Sequence, residues 1–300
     1  MRTIEYQNLK WIDILRPTEE ELKFLEERFS VHPIILEEIR TPTNHPLAEL
    51  YKTYLFFILH FPELQPETHR IRGLEVDYVI TQDTLITIRY EDFADFETLW
   101  SVVEQNPTKY LKETTGFLFY RLMKYLLDRT FPELDQIREE IRQSEEQIFQ
   151  AFDEDIIGRI ASIKRQILNF IQAVKPQRSV WESIRGHALE FWGDKIKPHF
   201  SDLVADYNRT LNLIETYREI IDSLHLTSSS LLDHKRNYVV KVLTVFTAII
   251  LPLSLLTSIY GMNIAHLPLA DRPEMFWWFI IAMAVVTIGL LLYFRRKRWL

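Results

Sequence analysis

The chain has 300 residues, 47% apolar and 26% charged, with a formal net charge of −7 at pH 7. That balance excludes general nucleic-acid binding, because no basic face is left to neutralise phosphates. The absence of cysteine excludes disulfides, thiolate metal sites and a cysteine nucleophile, and fits a reducing compartment.

The opening residues, MRTIEYQNLK, lack the apolar run of a cleavable signal peptide. Residues 1–110 read as a compact α/β domain. Thr18 followed by Glu21 is a capping box for a helix ending near Phe29, and His32-Pro33 opens a short helix to about Arg40. Residues 51–61 (YKTYLFFILHF) and 74–90 (LEVDYVITQDTLITIRY) are rich in β-branched and aromatic side chains. They predict three strands, the last two turning at Gln82-Asp83.

Residues 111–236 form a helical region. Leu118, Leu122, Tyr125 and Leu126 recur at helical spacing, as do Leu134, Ile137, Ile141 and Ile148, and Pro176 and Pro198 mark breaks or bends. After Pro198 nothing forbids one continuous helix to Pro252, roughly 80 Å long from its rise per residue. It is too polar to stand alone and needs neighbours within or between protomers.

Residues 237–300 form a transmembrane domain. Residues 242–259 (VLTVFTAIILPLSLLTSI) and 275–294 (MFWWFIIAMAVVTIGLLLYF) carry no charge, and each is about long enough to cross a hydrocarbon core of roughly 30 Å. Arg295-Arg296-Lys297-Arg298 closes the second span, and Lys235, Arg236 and Lys241 precede the first. The loop between them, 260–274, has one arginine against Asp271 and Glu274. The positive-inside rule therefore puts both termini in the cytoplasm and the loop outside, with Trp277, Trp278 and Trp299 as interfacial anchors.

Asn237, Val240, Thr244, Thr247, Leu251, Ser254 and Ser258 follow one another in steps of three and four, a heptad seam. Five of the seven are Asn, Thr or Ser. The seam fits helix packing with back-bonded hydroxyls, the commoner use of such residues, and it also fits the lining of a pore. Two helices cannot enclose a water-filled path, so a pore requires several copies around the first span. Val240 and Leu251 would then form apolar rings that gate by dewetting.

The stretch 241–263, KVLTVFTAIILPLSLLTSIYGMN, together with the terminal RRKRWL, resembles the CorA family of magnesium channels. The order of features matches: a KVLT start, a mid-helix proline, Tyr-Gly-Met-Asn at the outer end, a second span and a basic end. Weaker likeness extends to the strand pair before Tyr90 and to HFSDLVADY at 199–207. The resemblance implies an α+β membrane protein that works as a homopentamer in the inner (plasma) membrane. Its cytoplasmic α/β domain carries a stalk helix that continues into the pore span. Gly261, Met262 and Asn263 would form the selectivity motif at the outer mouth.

The chemistry agrees with that expectation. Mg²⁺ dehydrates reluctantly, so an entrance of neutral amide oxygens can hold the hydrated ion through its water shell without trapping it. Gly261 is expected to let the backbone leave the helix in a conformation closed to other residues. A helix C-cap at Asn263 is compatible with that role. A divalent cation moving inward down 100 mV gains about 4.6 kcal/mol, so no nucleotide is needed. No GxxxxGK[ST], HExxH or GxSxG string is present to support hydrolysis or an ATP-driven pump.

The loop departs from the family pattern, having Ile264-Ala265-His266-Leu267-Pro268 where acidic residues are usual. This weakens any acidic collar, and His266 suits an ordinary loop or a preference for softer ions such as Zn²⁺, Co²⁺ or Ni²⁺. The resemblance also implies closure by regulatory Mg²⁺ between cytoplasmic domains, with Asp202 matching one such acid. Another family acid falls at Leu226, near Asp222, and Glu63 and Glu67 are further candidates. Two other readings share the architecture: a zinc transporter of the same superfamily, which Met262 disfavours, and a non-conducting membrane anchor for a sensor or scaffold domain.

Overall fold

The computed structural model describes residues 1–65, 70–150, 155–262 and 274–299. In chain order the elements are strands β1 (Arg2–Tyr6) and β2 (Leu9–Leu15), helices α1 (Glu19–Phe29) and α2 (Pro33–Arg40), and strands β3 (Leu47–Leu50), β4 (Leu55–Gln65), β5 (Arg70–Ile80) and β6 (Thr84–Arg89). Helices α3 (Ala94–Gln105), α4 (Pro107–Tyr110), α5 (Thr115–Gln150), α6 (Asp155–Val174), α7 (Arg178–Trp192), α8 (Lys197–Tyr260) and α9 (Glu274–Arg296) follow. The chain divides into two compact units, 1–225 and 226–300.

In the first unit the six strands form one sheet in the order β1-β2-β6-β5-β4-β3. The β2–β6 pair is parallel and the others are antiparallel. The three strands expected from composition are β4, β5 and β6, and Gln82-Asp83 makes the expected turn, fixed by the Thr81 hydroxyl donating to Asp83 at 2.7 Å. The expected capping box is also present: Glu21 N–H donates to the Thr18 hydroxyl at 3.3 Å and Thr18 N–H to the Glu21 carboxylate at 2.9 Å.

Strands β1, β2 and β3 were not predicted. β2 lies inside the sheet and is buried on both faces, so it shows no alternation of polar and apolar residues. One face of the sheet, with Ile12, Ile14, Phe56, Ile58, Val79, Ile86 and Ile88, packs on Leu22 and Leu25 of α1 and Ile35, Leu36 and Ile39 of α2. The opposite face carries aromatic contacts. Trp11 meets Phe96 of α3 with ring centroids 5.7 Å apart, and Phe57 and Tyr78 meet Phe119 of α5 at 5.5 and 5.2 Å.

The α5 start is fitted closely to the end of α7. Thr115 donates to Thr81 O at 2.6 Å and accepts from Trp192 Nε1 at 3.1 Å. A Cβ on Gly116 would lie 2.8 Å from Trp192 Cδ2. Gly116→Ala is therefore expected to destabilise the protein by about 1–3 kcal/mol, read as a lower thermal midpoint. An unchanged midpoint would mean that the indole moves aside freely.

The prolines act where the sequence placed them, with one extension. Pro176 lies in a 3-10 turn between α6 and α7, and Pro198 is the second residue of α8, where its missing N–H is not needed. The helix does not stop at Pro252 but passes through it to Tyr260. Proline leaves the Ala248 carbonyl without its usual helical donor.

Candidate functional site

The second unit contains the end of α8 and all of α9. Both are long and apolar enough to cross a membrane. Their shielded residues define a mutual face. On α8 these are Lys241, Val245, Ala248, Ile249, Pro252, Leu253 and Leu256; on α9 they are Phe279, Met283, Thr287, Leu290 and Phe294. Lys241 Nζ donates to Arg298 O at 2.7 Å, joining the start of the apolar part of α8 to the residues just past α9. The outward faces are apolar and exposed, including Phe246, Leu255, Trp277, Trp278 and Val285, as expected where lipid or further copies replace water.

All seven seam residues, Asn237, Val240, Thr244, Thr247, Leu251, Ser254 and Ser258, are exposed. At 100° per residue the seam lies about 130° around α8 from the face shielded by α9. It therefore does not serve packing between the two helices of one chain. The Thr244 hydroxyl donates to Val240 O at 2.7 Å, which spends its proton inside the helix and leaves its oxygen an acceptor for what lies outside. Thr257, off the seam, back-bonds to Leu253 O and Ser254 O at 3.0 Å each.

The seam is longer than the sequence reading took it to be. Continuing the same steps inward from Asn237 reaches Asp233, Ser230 and Leu226, all exposed. Asp233 makes no ion pair among the described residues, and it is the only acid in residues 226–262. The signal was available in the period alone, but the reading stopped at the membrane boundary.

At the C-terminal end of α8, Gly261 N–H donates to Thr257 O at 2.9 Å and Met262 N–H to Ile259 O at 3.4 Å. The expected special backbone at Gly261 is corrected: among the described residues the only glycine with positive φ is Gly193. What Gly261 supplies is close approach, since a Cβ there would lie 3.1 Å from the Thr257 carbonyl oxygen. Asn263 and His266 lie outside the described residues, as does Glu67.

Each of the other acids proposed for regulation has a basic partner inside the chain. Asp202 lies 3.4 Å from Lys124 Nζ and accepts from the Tyr120 hydroxyl at 3.1 Å. Asp222 pairs with Lys164 at 2.7 Å, and Glu63 with Arg72 at 3.2 Å. Among the described residues no three acids or histidines are grouped to hold a metal ion. The sequence could not show these pairings, because Lys124 and Asp202 are 78 positions apart.

A sheet-and-helix unit whose last helix runs on as the first of two helices long and apolar enough to cross a membrane, with a polar seam turned away from the second, defines a class: an α/β unit carried on a pair of candidate membrane spans. Comparison with known proteins narrows this. The chain belongs to the family described as CorA-like Mg2+ transporter protein, whose model matches residues 6–296. It is similar to the cobalt/magnesium transport protein CorA of Thermotoga maritima, 26% identical over 279 residues that cover 91% of this chain and 78% of that protein. The protein of the same description from Methanocaldococcus jannaschii is 25% identical over 300 residues, covering 99% and 93%. The fold is that of the complete CorA magnesium transporter structure from Methanocaldococcus jannaschii, with a TM-score of 0.82 at 24% identity, covering 100% of this chain and 95% of that one.

Proposed function

We propose that this chain forms a passive divalent-cation channel, driven by membrane potential. Mg²⁺ is its principal cargo, and Co²⁺ and Ni²⁺ are further ions it conducts. It works as a homopentamer in the plasma membrane, with both termini cytoplasmic, as the basic run 295–298 favours. The observation that carries the reading is the seam of seven exposed residues turned away from α9. The transport of magnesium and cobalt named for its relatives supports the choice of ion.

Copies of α8 around a common axis bring the seams together. Asn237 and the hydroxyls of Thr244, Thr247, Ser254 and Ser258 then offer oxygen to the water shell of the ion. Val240 and Leu251, 55% and 63% exposed in one chain, become apolar rings that empty of water when narrow. Asn263, with Gly261 and Met262 shaping the chain before it, provides an amide ring at the outer mouth. Such a ring binds hydrated Mg²⁺ weakly enough to release it.

The test is uptake by protein in liposomes under an inside-negative potential, with Mg²⁺, Co²⁺, Ni²⁺ and Zn²⁺ in parallel. Uptake of Mg²⁺ that grows with the potential supports the channel. No uptake of any ion would identify a membrane anchor, and preference for Zn²⁺ would identify a zinc transporter.

Asp233, continuing the seam inward, would add a ring of carboxylates at the cytoplasmic end. Such a ring raises the local concentration of cations, an effect screened by salt. Asp233→Asn is expected to lower Mg²⁺ flux several-fold at low ionic strength and much less at high ionic strength. Equal flux in wild type and variant at low salt would remove Asp233 from the ion path.

A further inference from the structure

Lys124 stands where three carboxylates from two helices of the first unit meet. Tyr120, Lys124 and Asp128 are successive turns of one face of α5, and Asp202 and Asp206 are successive turns of α8, as the four-residue spacing requires. The Lys124 ammonium contacts Asp206 directly and lies 3.4 Å from Asp202 Oδ2 and 3.9 Å from Asp128 Oδ1. Asp202 also accepts from the Tyr120 hydroxyl at 3.1 Å. The hydrogen bond to Asp206 holds the lysine well above its ordinary range, against partial burial, with help from the charges of Asp128 and Asp202. It is therefore charged at every physiological pH.

Three carboxylates and a phenol oxygen are the donor types that a hard divalent cation takes, but as they stand around the lysine they are not grouped to hold one. The family resemblance implies a regulatory Mg²⁺ at Asp202, and the residues present do not fit one. The centre of the cluster is already filled by an ammonium on a four-carbon stem, a compact charge with three donors. A divalent ion placed there would have to expel that charge and strip it of its three partners.

We infer that Lys124 is a tethered counter-cation that replaces a free divalent ion at the Asp128–Asp202–Asp206 cluster, so that the first unit does not sense Mg²⁺ through Asp202. If the chain conducts as proposed above, influx is then not throttled through this acid. The structural claim stands independently of conduction.

Removing the tether should expose the site it fills. Thermal unfolding of the full-length protein in detergent, with and without millimolar MgCl₂ at constant ionic strength, reads this without any flux measurement. Lys124→Gln is expected to gain a saturable rise in Tm of a few degrees with Mg²⁺, because a ligand that binds only the folded state stabilises it. Wild type and Lys124→Arg should lack that added rise, and K124Q/D206N should lose it. In otherwise wild-type protein Asp202→Asn should leave the Mg²⁺ response unchanged, an arm that remains readable even where Lys124→Gln does not fold. A response of Lys124→Gln equal to wild type, or a wild-type response lost in Asp202→Asn, overturns the inference. Absence of transport in wild type would overturn only the conduction reading.

Discussion

Asn263→Ala is expected to abolish selective Mg²⁺ uptake into liposomes while leaving the oligomer intact. A hydrogen bond involving a charged partner contributes about 1.5–3 kcal/mol, and each tenfold change in occupancy corresponds to about 1.4 kcal/mol. On the channel reading proposed above, removing one amide per subunit from the proposed ring therefore lowers entry by well over tenfold. The variant retains the seam of α8 and the packing of α9, so its elution and light-scattering mass should match wild type. Discrimination should fall along with rate, because alanine offers the water shell no acceptor. Normal Mg²⁺ uptake by the variant would show that the amide is not the selecting group.

Asp13→Ala is expected to destabilise the first unit by about 3–5 kcal/mol. Arg89 is only 2% exposed. Its Nε and one terminal nitrogen donate to Asp13 at 3.0 and 2.7 Å, and that same nitrogen donates to Glu97 at 2.9 Å. Thr87 adds a hydroxyl to Asp13 at 2.8 Å, and Arg2 a guanidinium contact at 2.9 Å. Removing the carboxylate leaves the guanidinium with Glu97, which is partly solvated, and the Phe96 ring 4.3 Å away. For a unit of this size the loss corresponds to a Tm lower by roughly 6–20 °C. Replacing both partners, D13A/R89M, should recover much of the loss, since an apolar pair leaves no charge stranded. A double variant no more stable than Asp13→Ala would assign the effect to packing instead.

The two apolar helices were legible in the sequence because their constraints are one-dimensional. Their length and hydropathy and the heptad steps from Asn237 to Ser258 depend only on positions along one helix. The same holds for the Thr18 cap and the Gln82-Asp83 turn, each set within four residues. What escaped depends on partners remote in sequence. β2 looked featureless because both its faces are covered, and Asp202 looked like a free ligand because its partner Lys124 belongs to another helix. Gly261 was read for its backbone freedom, whereas the structure uses its lack of a side chain against Thr257. Asp233 was different: the period reached it, and only an assumed boundary kept it out.

Pro252 divides the seam unequally. Leu226 to Leu251 lie before it, and Ser254 and Ser258 beyond it. With no N–H at position 252, the turn between Ala248 and Pro252 lacks one rung of the ladder that stiffens the rest of α8. The outermost two turns can therefore pivot as a short lever on a stiffer shaft. In a ring of copies that pivot would change the width at Ser254 and Ser258 while Leu251 keeps its place, so the vestibule could dilate without loosening the constriction beneath it.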